Sequence, residues 1–270
     1  HPEANEVEVP LLRWLPGEIA VVTPQSNSIE AINAFCQEAF KMKLTSLMIY
    51  VQKDSNNYTL ILLAFSCIKY TIIFDVRRFV SMFNHFELPP QIANLLCDPR
   101  VIVVMPGQHD WLVKEDKDLL QSLRVISPRL PHFGCEVYIS NYIKKLKIQP
   151  SGKDVTEHMK LIHWLFQVRI NNQMNGRIIP GALTDAWMQM VHHYGSLLVL
   201  GYWALEEKLR CFMHSPKFGV TLSPIYLDDI LIETGFVTDM TKEELRKKLL
   251  GSGRYPDPPL PHINYPPKKN

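Results

Sequence analysis

The stretch "LTSLMIYVQ" (44–52) has the composition of a buried β-strand that ends on polar side chains. Apolar residues fill its middle, and Tyr50 and Gln52 follow at its C-terminal end. In α/β proteins, ligands and catalytic groups commonly lie beyond the C-terminal ends of strands. The segment therefore raises the question of what chemistry a tyrosine and a glutamine supply at such a position.

The segments around this strand predict a mixed sheet. The runs "YTLILLAF" (58–65) and "YTIIFDV" (70–76) follow it closely enough for hairpin turns, and "EIAVVT" (18–23) alternates as a strand before it. "RVIVVM" (100–105) is continuously apolar, which is typical of a strand buried on both faces. "GCEVYI" (134–139) is a short strand or the start of a helix. Hairpin-linked strands followed by helices indicate one α/β domain.

Apolar periodicity and end signals predict the helices. Asn27 and Glu30 form a candidate capping box before the first helix, and Thr241 and Glu244 form another before the last. We predict helices over residues 28–41, 77–97 with an interruption near the prolines at 89 and 90, 155–170, 184–213, and a final one that ends at Gly251.

The bulk composition is that of an ordinary globular protein. The chain has 270 residues, 46% hydrophobic and 21% charged, and its net charge of +2 is too small to indicate nucleic-acid binding by itself. Five scattered cysteines without a CxxC pair indicate reduced thiols in an intracellular protein. No apolar run has the length of a membrane span, no export leader is visible, and the non-Met start at His1 indicates a fragment of a longer protein.

The order of these phrases resembles the RNase D-like branch of the DEDD 3′–5′ exonucleases, which have an RNase H-like fold. "LMIYVQ", "LILLAF" and "TIIFDV" have the spacing of the three family strands, and "LLCDPRVIVV" (95–104) resembles the phrase that leads into the second family motif. The segment from Pro180 to Leu209 resembles the helix of the third motif. The resemblance spans about residues 10–212 and implies a mixed central sheet flanked by helices, with a helical C-terminal extension.

The resemblance also implies where a catalytic centre belongs. The family uses four carboxylates to hold two divalent ions, whose mutual repulsion requires anionic ligands. By the resemblance, the first-motif positions fall on Tyr50 and Gln52, and the third-motif positions fall on Met190 and Tyr194. None of these side chains is a carboxylate, so the chain resembles a catalytically degenerate exonuclease with no metal and no cofactor.

The second motif has no single register. Counting forward from Val103 places its acid near residues 111–113, with Asp110 just outside, whereas counting back from later landmarks places it at Glu115 or Asp116. One carboxylate therefore survives among Asp110, Glu115 and Asp116 in this interpretation. One acid cannot replace four.

An active metal-dependent 3′–5′ exoribonuclease with displaced ligands is the alternative. Asp75 and Asp185 would then have to converge with the acids of the second motif. A slip of the third-motif register would move its pair to Gln189 and His193, which supplies no carboxylate either.

Basic residues offer candidate RNA contacts in a retained nuclease-like groove. They are Arg77, Arg78, Lys144, Lys145 and Lys147. Short basic runs of this kind are also common on solvated helix faces, and this interpretation stays open beside the first.

The histidines do not indicate a metal site. His192 and His193 are adjacent, so on a helix they point about 100° apart and do not chelate as an i,i+4 pair would.

The predicted function is that of a non-catalytic exonuclease-like domain, acting as a scaffold for protein or RNA in RNA metabolism, including small-RNA silencing. Protein partners, RNA or a second copy of the chain are the expected partners, without a membrane. The expected location is the cytoplasm, including ribonucleoprotein granules, or the nucleus. We divide the chain into an exonuclease-like domain (10–214), a helical extension (215–255) and a Pro-rich flexible tail (256–270).

Overall fold

The computed structural model describes most of the predicted α/β domain. The described residues are 9–54, 57–106, 135–139, 162–163, 165–171, 183–214 and 225–256, with the backbone alone for 51–54, 57–59 and 207–214.

A six-stranded mixed sheet forms the centre of the fold, in the order β1-β4-β3-β2-β5-β6. The strands are β1 (Glu18–Val22), β2 (Leu44–Asp54), β3 (Asn57–Ser66), β4 (Tyr70–Asp75), β5 (Ile102–Met105) and β6 (Cys135–Tyr138). Strand β3 is antiparallel to both β2 and β4, and the remaining neighbours are parallel. All strands except β3 therefore end at the same edge of the sheet.

The strands predicted from sequence are confirmed, and the "GCEVYI" segment contains a strand rather than a helix start. Strand β5 lies between β2 and β6, and three of its four residues are buried. This position explains its continuous apolar composition, because helices cover both faces of the sheet.

Helices form a layer on each face of the sheet. The first layer contains α1 (Ile29–Met42), α2 (Val76–Phe83) and α3 (Pro90–Cys97). The second contains α4 (Asp185–His214), α5 (Leu227–Glu233) and α6 (Lys242–Leu250). Alternation along β2 sends Leu47 into the core of the first layer, and Leu44 and Met48 into that of the second.

Two helix-start predictions have opposite outcomes. The capping box at Thr241 is confirmed, because its side chain accepts from the Glu244 amide and its own amide donates to the Glu244 carboxylate. The box with Asn27 is wrong, since Ser28 is the N-cap of α1 and makes no side-chain cap. Instead, the Ser28 hydroxyl donates to the hydroxyl of Ser26.

The helix predicted over residues 155–170 lies largely outside the described residues. The described part is helical up to Phe166 and ends at Gln167, whose φ of 54° is left-handed. Extension to residue 170 is therefore wrong, because Arg169 forms a bridge with the N-terminal segment instead. Its carbonyl accepts from the Leu12 amide, and its amide donates to the Pro10 carbonyl.

The C-terminal helices pack on the same core as α4. Leu227 and Leu231 of α5, and Leu245 and Leu249 of α6, are fully buried in that core. The amide of Arg13 also donates to the Leu249 carbonyl. The division of the chain at residue 214 stays a prediction, as does the flexible tail, which lies almost wholly outside the described residues. None of the helices in the described ranges has the length and apolar composition needed to cross a membrane.

Candidate functional site

A register shift in the β2–β3 pair fixes the surroundings of Tyr50. Tyr50 lies opposite Leu62 and Val51 lies opposite Leu60, so Ile61 is the extra residue of a β-bulge on β3. Ile61 and Leu62 consequently both enter the core on the α4 side. The bulge widens the apolar surface beside Tyr50, at the sheet edge where five strands end.

Helix α4 crosses the sheet at very close range because residue 195 is glycine. A Cβ placed on Gly195 would lie 2.6 Å from Met48 Cε, 2.9 Å from Ser66 Cβ and 3.1 Å from Ser46 Oγ. Real Cβ atoms essentially never approach other atoms below 3.0 Å. The serines of the strands and the absence of a side chain at residue 195 together allow the helix to lie this close to the sheet.

A row of buried polar side chains lies around this close contact between helix and sheet. We call His192, Thr71, Ser66 and Ser196 the polar row. Nε2 of His192 lies 3.1 Å from the Pro16 carbonyl oxygen and donates to it, so Nδ1 is an acceptor, 2.7 Å from Thr71 Oγ1. The hydroxyls of Ser66 and Ser196 continue the row at 3.0 Å and 3.2 Å. Burial lowers the pKa of His192 and keeps the imidazole neutral. The side chains of the row thus supply hydrogen-bond partners to one another where helix and sheet are closest.

Toward the sheet edge, the same helix meets the sheet through aromatic and thioether side chains. The ring of Trp187 stands edge-on to Tyr50, with centroids 6.0 Å apart. Tyr194 also interacts with Tyr50, and Met190 lies between Trp187 and Tyr194 on the same stripe of the helix. Among the described residues, the hydrogen-bond partner of the Tyr50 phenol is the Met48 sulfur, at 3.7 Å. We call Tyr50, Trp187, Met190 and Tyr194 the aromatic cluster.

The aromatic cluster carries no charge. Burial raises the pKa of Tyr50, and burial followed by the neighbouring Tyr50 raises that of Tyr194, so both phenols stay protonated. His193, the alternative third-motif position, is buried and has its pKa lowered to about 3, mainly by burial and further by His192. These residues do not fit a pair of divalent ions, which require anionic oxygen ligands. The described residues include no group of three His, Cys, Asp or Glu side chains able to hold a metal.

Among the described side chains, a buried carboxylate lies at this edge of the sheet. Asp75 ends β4 opposite Leu62, which itself lies opposite Tyr50, and the carboxylate is 1% exposed. Its two oxygens pair with the guanidinium groups of Arg77 and Arg78, at 3.5 Å and 3.4 Å. Both arginines that were proposed as RNA contacts are therefore engaged by a buried acid, although the side chain of Arg78 is 47% exposed.

The other predicted site residues are only partly accounted for. Asp185 lies exposed in the first turn of α4. The backbone of Gln52 pairs with Thr59, and its side chain is outside the described atoms. The remaining candidates lie outside the described residues, namely Asp110, Glu115, Asp116, Lys144, Lys145 and Lys147.

Comparison with known proteins identifies the fold. No protein-family model and no curated protein sequence matches the chain. The Nibbler EXO domain of Aedes aegypti superposes with a TM-score of 0.51 at 9% identity, over 72% of this chain and 89% of that one. The catalytic core of RRP6 from Trypanosoma brucei gives 0.53 at 15% identity, over 76% of this chain. This chain has the RNase H-like fold of a DEDD exonuclease domain. It spans about half, 51%, of the RRP6 chain.

Within this exonuclease-like domain, three residues of the site were not expected from sequence. Trp187 has the helical spacing of a core residue, and its contact with Tyr50 depends on the registration of the helix on the sheet. Gly195 and His192 gave no signal of their own. The useful signal would have been the coincidence of a helical glycine with a row of small hydroxyl residues, Ser46, Ser66 and Thr71, in three neighbouring strands.

Proposed function

We propose that this domain is a non-catalytic member of the exonuclease fold, which acts as a binding scaffold in RNA metabolism. Its primary partners are proteins, and RNA is retained only where basic residues remain at the rim of the former cleft. The observation that carries the proposal is the aromatic cluster, in which neutral side chains occupy the helix–sheet contact expected to hold metal-binding carboxylates.

Filling of the cleft supports a scaffold rather than a catalyst. Tyr50, Met190 and Tyr194 all pack on the apolar core of the α4 side. A metal pair placed there would need desolvated anionic ligands, whereas the phenols resist ionisation because burial raises their pKa. Apolar packing of this kind stabilises the fold but supplies no catalytic group. A site filled in this way has no need of charged side chains.

An active nuclease with displaced ligands is the second candidate, and Asp75 is the observation in its favour. The row of strand partners puts Asp75 two strands from Tyr50, roughly 10 Å at ~4.8 Å per strand. Asp185 lies nine residues before Tyr194 on α4, about 13 Å along the helix axis at ~1.5 Å per residue. Paired catalytic ions lie only ~3.5–4 Å apart, so each acid is far from the position where the resemblance places a ligand, and an active site would have to form elsewhere than at Tyr50 and Tyr194.

The test is digestion of 5′-labelled single-stranded RNA by the purified chain, in a titration of Mn²⁺ and then of Mg²⁺. The proposal predicts full-length RNA at every metal concentration, either free or shifted in a native gel. A ladder of 3′-shortened products would contradict it.

The matched control is Asp75→Asn, which removes the one buried acid described at this edge. If a ladder appears and disappears in Asp75→Asn, the displaced-ligand nuclease is correct. A ladder that survives both the substitution and repurification of the chain would still contradict the proposal and would assign the activity to acids other than Asp75. A ladder that disappears on repurification would identify a copurifying nuclease. Thermal melting of both proteins shows whether the variant is folded.

A further inference from the structure

An exposed tryptophan packs against a half-buried phenylalanine on the outer helical layer, away from the aromatic cluster. The side chain of Trp203 on α4 is 41% exposed, and its ring stands edge-on to that of Phe236, with centroids 6.5 Å apart. Ile232, at the end of α5, is 37% exposed. Exposed tryptophan beside other large apolar side chains is characteristic of binding surfaces, because tryptophan contributes strongly to contact energy.

The turn that follows α5 presents this surface in a defined shape. Gly235 has a φ of 75°, its amide donates to the Ile232 carbonyl, and the amide of Val237 donates to the Leu231 carbonyl. Val237 is buried and anchors the turn, which leaves Ile232 and Phe236 on either side of Gly235. A Cβ added at Gly235 would meet no heavy atom within 4 Å, so the surface beside the turn is open.

The segment that carries Ile232 and Phe236 is acidic. The segment 225–240 contains four acidic residues and no Lys or Arg, in a chain whose net charge is +2. Asp228 and Asp229 are paired, with Arg246 and Lys242 of α6. Glu233 and Asp239 are exposed and form no ion pair with any residue that the structure describes. Two acids therefore remain available beside Ile232 and Phe236.

We propose that Trp203, Ile232 and Phe236, rimmed by Glu233 and Asp239, bind a basic segment of a partner protein that carries large apolar anchors. An arginine or lysine of the partner would stack on the Trp203 indole, and its neighbours would pair with the two acids. The acids would repel RNA. This site is independent of the cleft, so its failure would leave the proposed lack of catalysis untouched.

The test uses the whole chain and fluorescence anisotropy with three labelled synthetic peptides, built from Arg-Leu, Glu-Leu and Arg-Gly repeats. The Arg-Leu peptide should bind at least about tenfold more tightly than either of the others, because it alone combines charge with apolar anchors. Equal binding of the Arg-Leu and Glu-Leu peptides would overturn the proposal, since apolar contact alone would then explain it.

Two variants locate the site. Glu233→Lys with Asp239→Lys should weaken Arg-Leu binding about tenfold or more, and Trp203→Ala should weaken it by a similar factor. The matched control is Glu30→Lys with Glu87→Lys, an equal change of charge at exposed positions in the other helical layer, and it should leave binding within about twofold. Affinity that is unchanged in both site variants would overturn the assignment.

Two further binding experiments test whether the surface binds the chain's own tail or RNA instead of a partner protein. An unlabelled peptide with the sequence of residues 257–270, which contains Lys268 and Lys269, should not displace the Arg-Leu probe; displacement at equal affinity would assign the surface to the chain's own tail and overturn the partner. Labelled single-stranded RNA should not bind there. RNA binding that is lost in Trp203→Ala would overturn the proposal in favour of nucleic acid.

Discussion

Helix α4 contacts the sheet in two regions that differ in chemistry. Around His192 and Gly195 the interface is polar and closely approached, with hydroxyl groups bonded in a row. At the strand ends, around Tyr50 and Tyr194, it is aromatic and uncharged. The first region sets how close the helix lies to the sheet, and the second occupies the positions where the resemblance places the family's metal ligands. In the proposed function, one set of residues holds the fold together and another set accounts for the lack of catalysis.

The largest expected effect comes from returning a carboxylate to the aromatic cluster. Tyr50→Asp should lower the free energy of unfolding by roughly 3 kcal/mol or more at pH 7, because an unpaired charge replaces packing against Trp187. Urea denaturation measures the loss. Tyr50→Phe is the control, and it should change stability by less than about 0.5 kcal/mol, since the hydrogen-bond partner of the phenol among the described residues is a sulfur atom at 3.7 Å.

Addition of Mn²⁺ to Tyr50→Asp tests whether the introduced carboxylate creates a metal site. We expect no recovery, because the described side chains of the aromatic cluster supply no further anionic ligand. A rise in melting temperature with Mn²⁺ that is absent in the wild type would mean that one substitution recreates a metal site, contrary to the account.

Titration of His193 should give the next largest effect. Burial, and then His192, lower its pKa to about 3, whereas an unfolded histidine titrates near ~6.5. Between pH ~6.5 and 3, His193 is therefore protonated in the unfolded chain and neutral in the folded chain. Its contribution to the free energy of unfolding is fully present above pH ~6.5 and is lost as the pH falls toward 3. By pH 5 the loss from this residue should be about 2 kcal/mol.

The variant His193→Leu isolates this contribution. Free energies of unfolding at pH 7.5, 6 and 5 should fall less steeply than in the wild type, by about 1.2 kcal/mol between pH 6 and 5. Parallel curves for the two proteins would show that His193 takes up its proton in the folded state and is less buried than described.

Two glycines of α4 provide a matched pair for the polar region. Gly195→Ala should lower the free energy of unfolding by about 1–2 kcal/mol, because its Cβ overlaps Ser66 Cβ and Met48 Cε. Gly201→Ala, whose Cβ would meet only Phe166 at 3.8 Å, should raise it by about 0.5 kcal/mol through helix propensity. Both changes are measured by urea denaturation. Equal effects at the two positions would show that the missing side chain at residue 195 does not determine how close α4 lies to the sheet.

The smallest effect is expected within the polar row. Thr71→Val keeps the shape of the side chain and removes the hydroxyl 2.7 Å from His192 Nδ1, which should lower stability by about 1 kcal/mol. Thr71→Ser, which keeps the hydroxyl, should lose less. If the valine variant were as stable as the wild type, the hydrogen bonds of the row would make no net contribution.

The sequence predicts the sheet better than it predicts the site. Alternation and continuous apolar runs define β2 to β5, because side-chain period reports directly on strand burial. Thr241 marks a helix start by its own hydrogen bonds, whereas Asn27 fails since Ser28 takes the N-cap position without a side-chain cap. Local patterns are reliable where the local interaction is the one that forms.

The site depends on relations that no local pattern contains. That Tyr50 faces Tyr194 follows from the crossing of α4 over β2, and the crossing depends on Gly195 and on a row of small residues far apart in sequence. The bulge at Ile61 equally depends on pairing between two strands. The pairing of Arg78 with buried Asp75 likewise could not be anticipated, because burial of the acid is a tertiary property.

The most direct test of the central claim is a manganese soak of crystals of the wild-type chain, with anomalous scattering recorded to locate bound ions. The account predicts no ion between β2 and α4, where Tyr50, Met190 and Tyr194 lie. Two manganese ions side by side at that position would contradict it, since neutral side chains alone would not hold them.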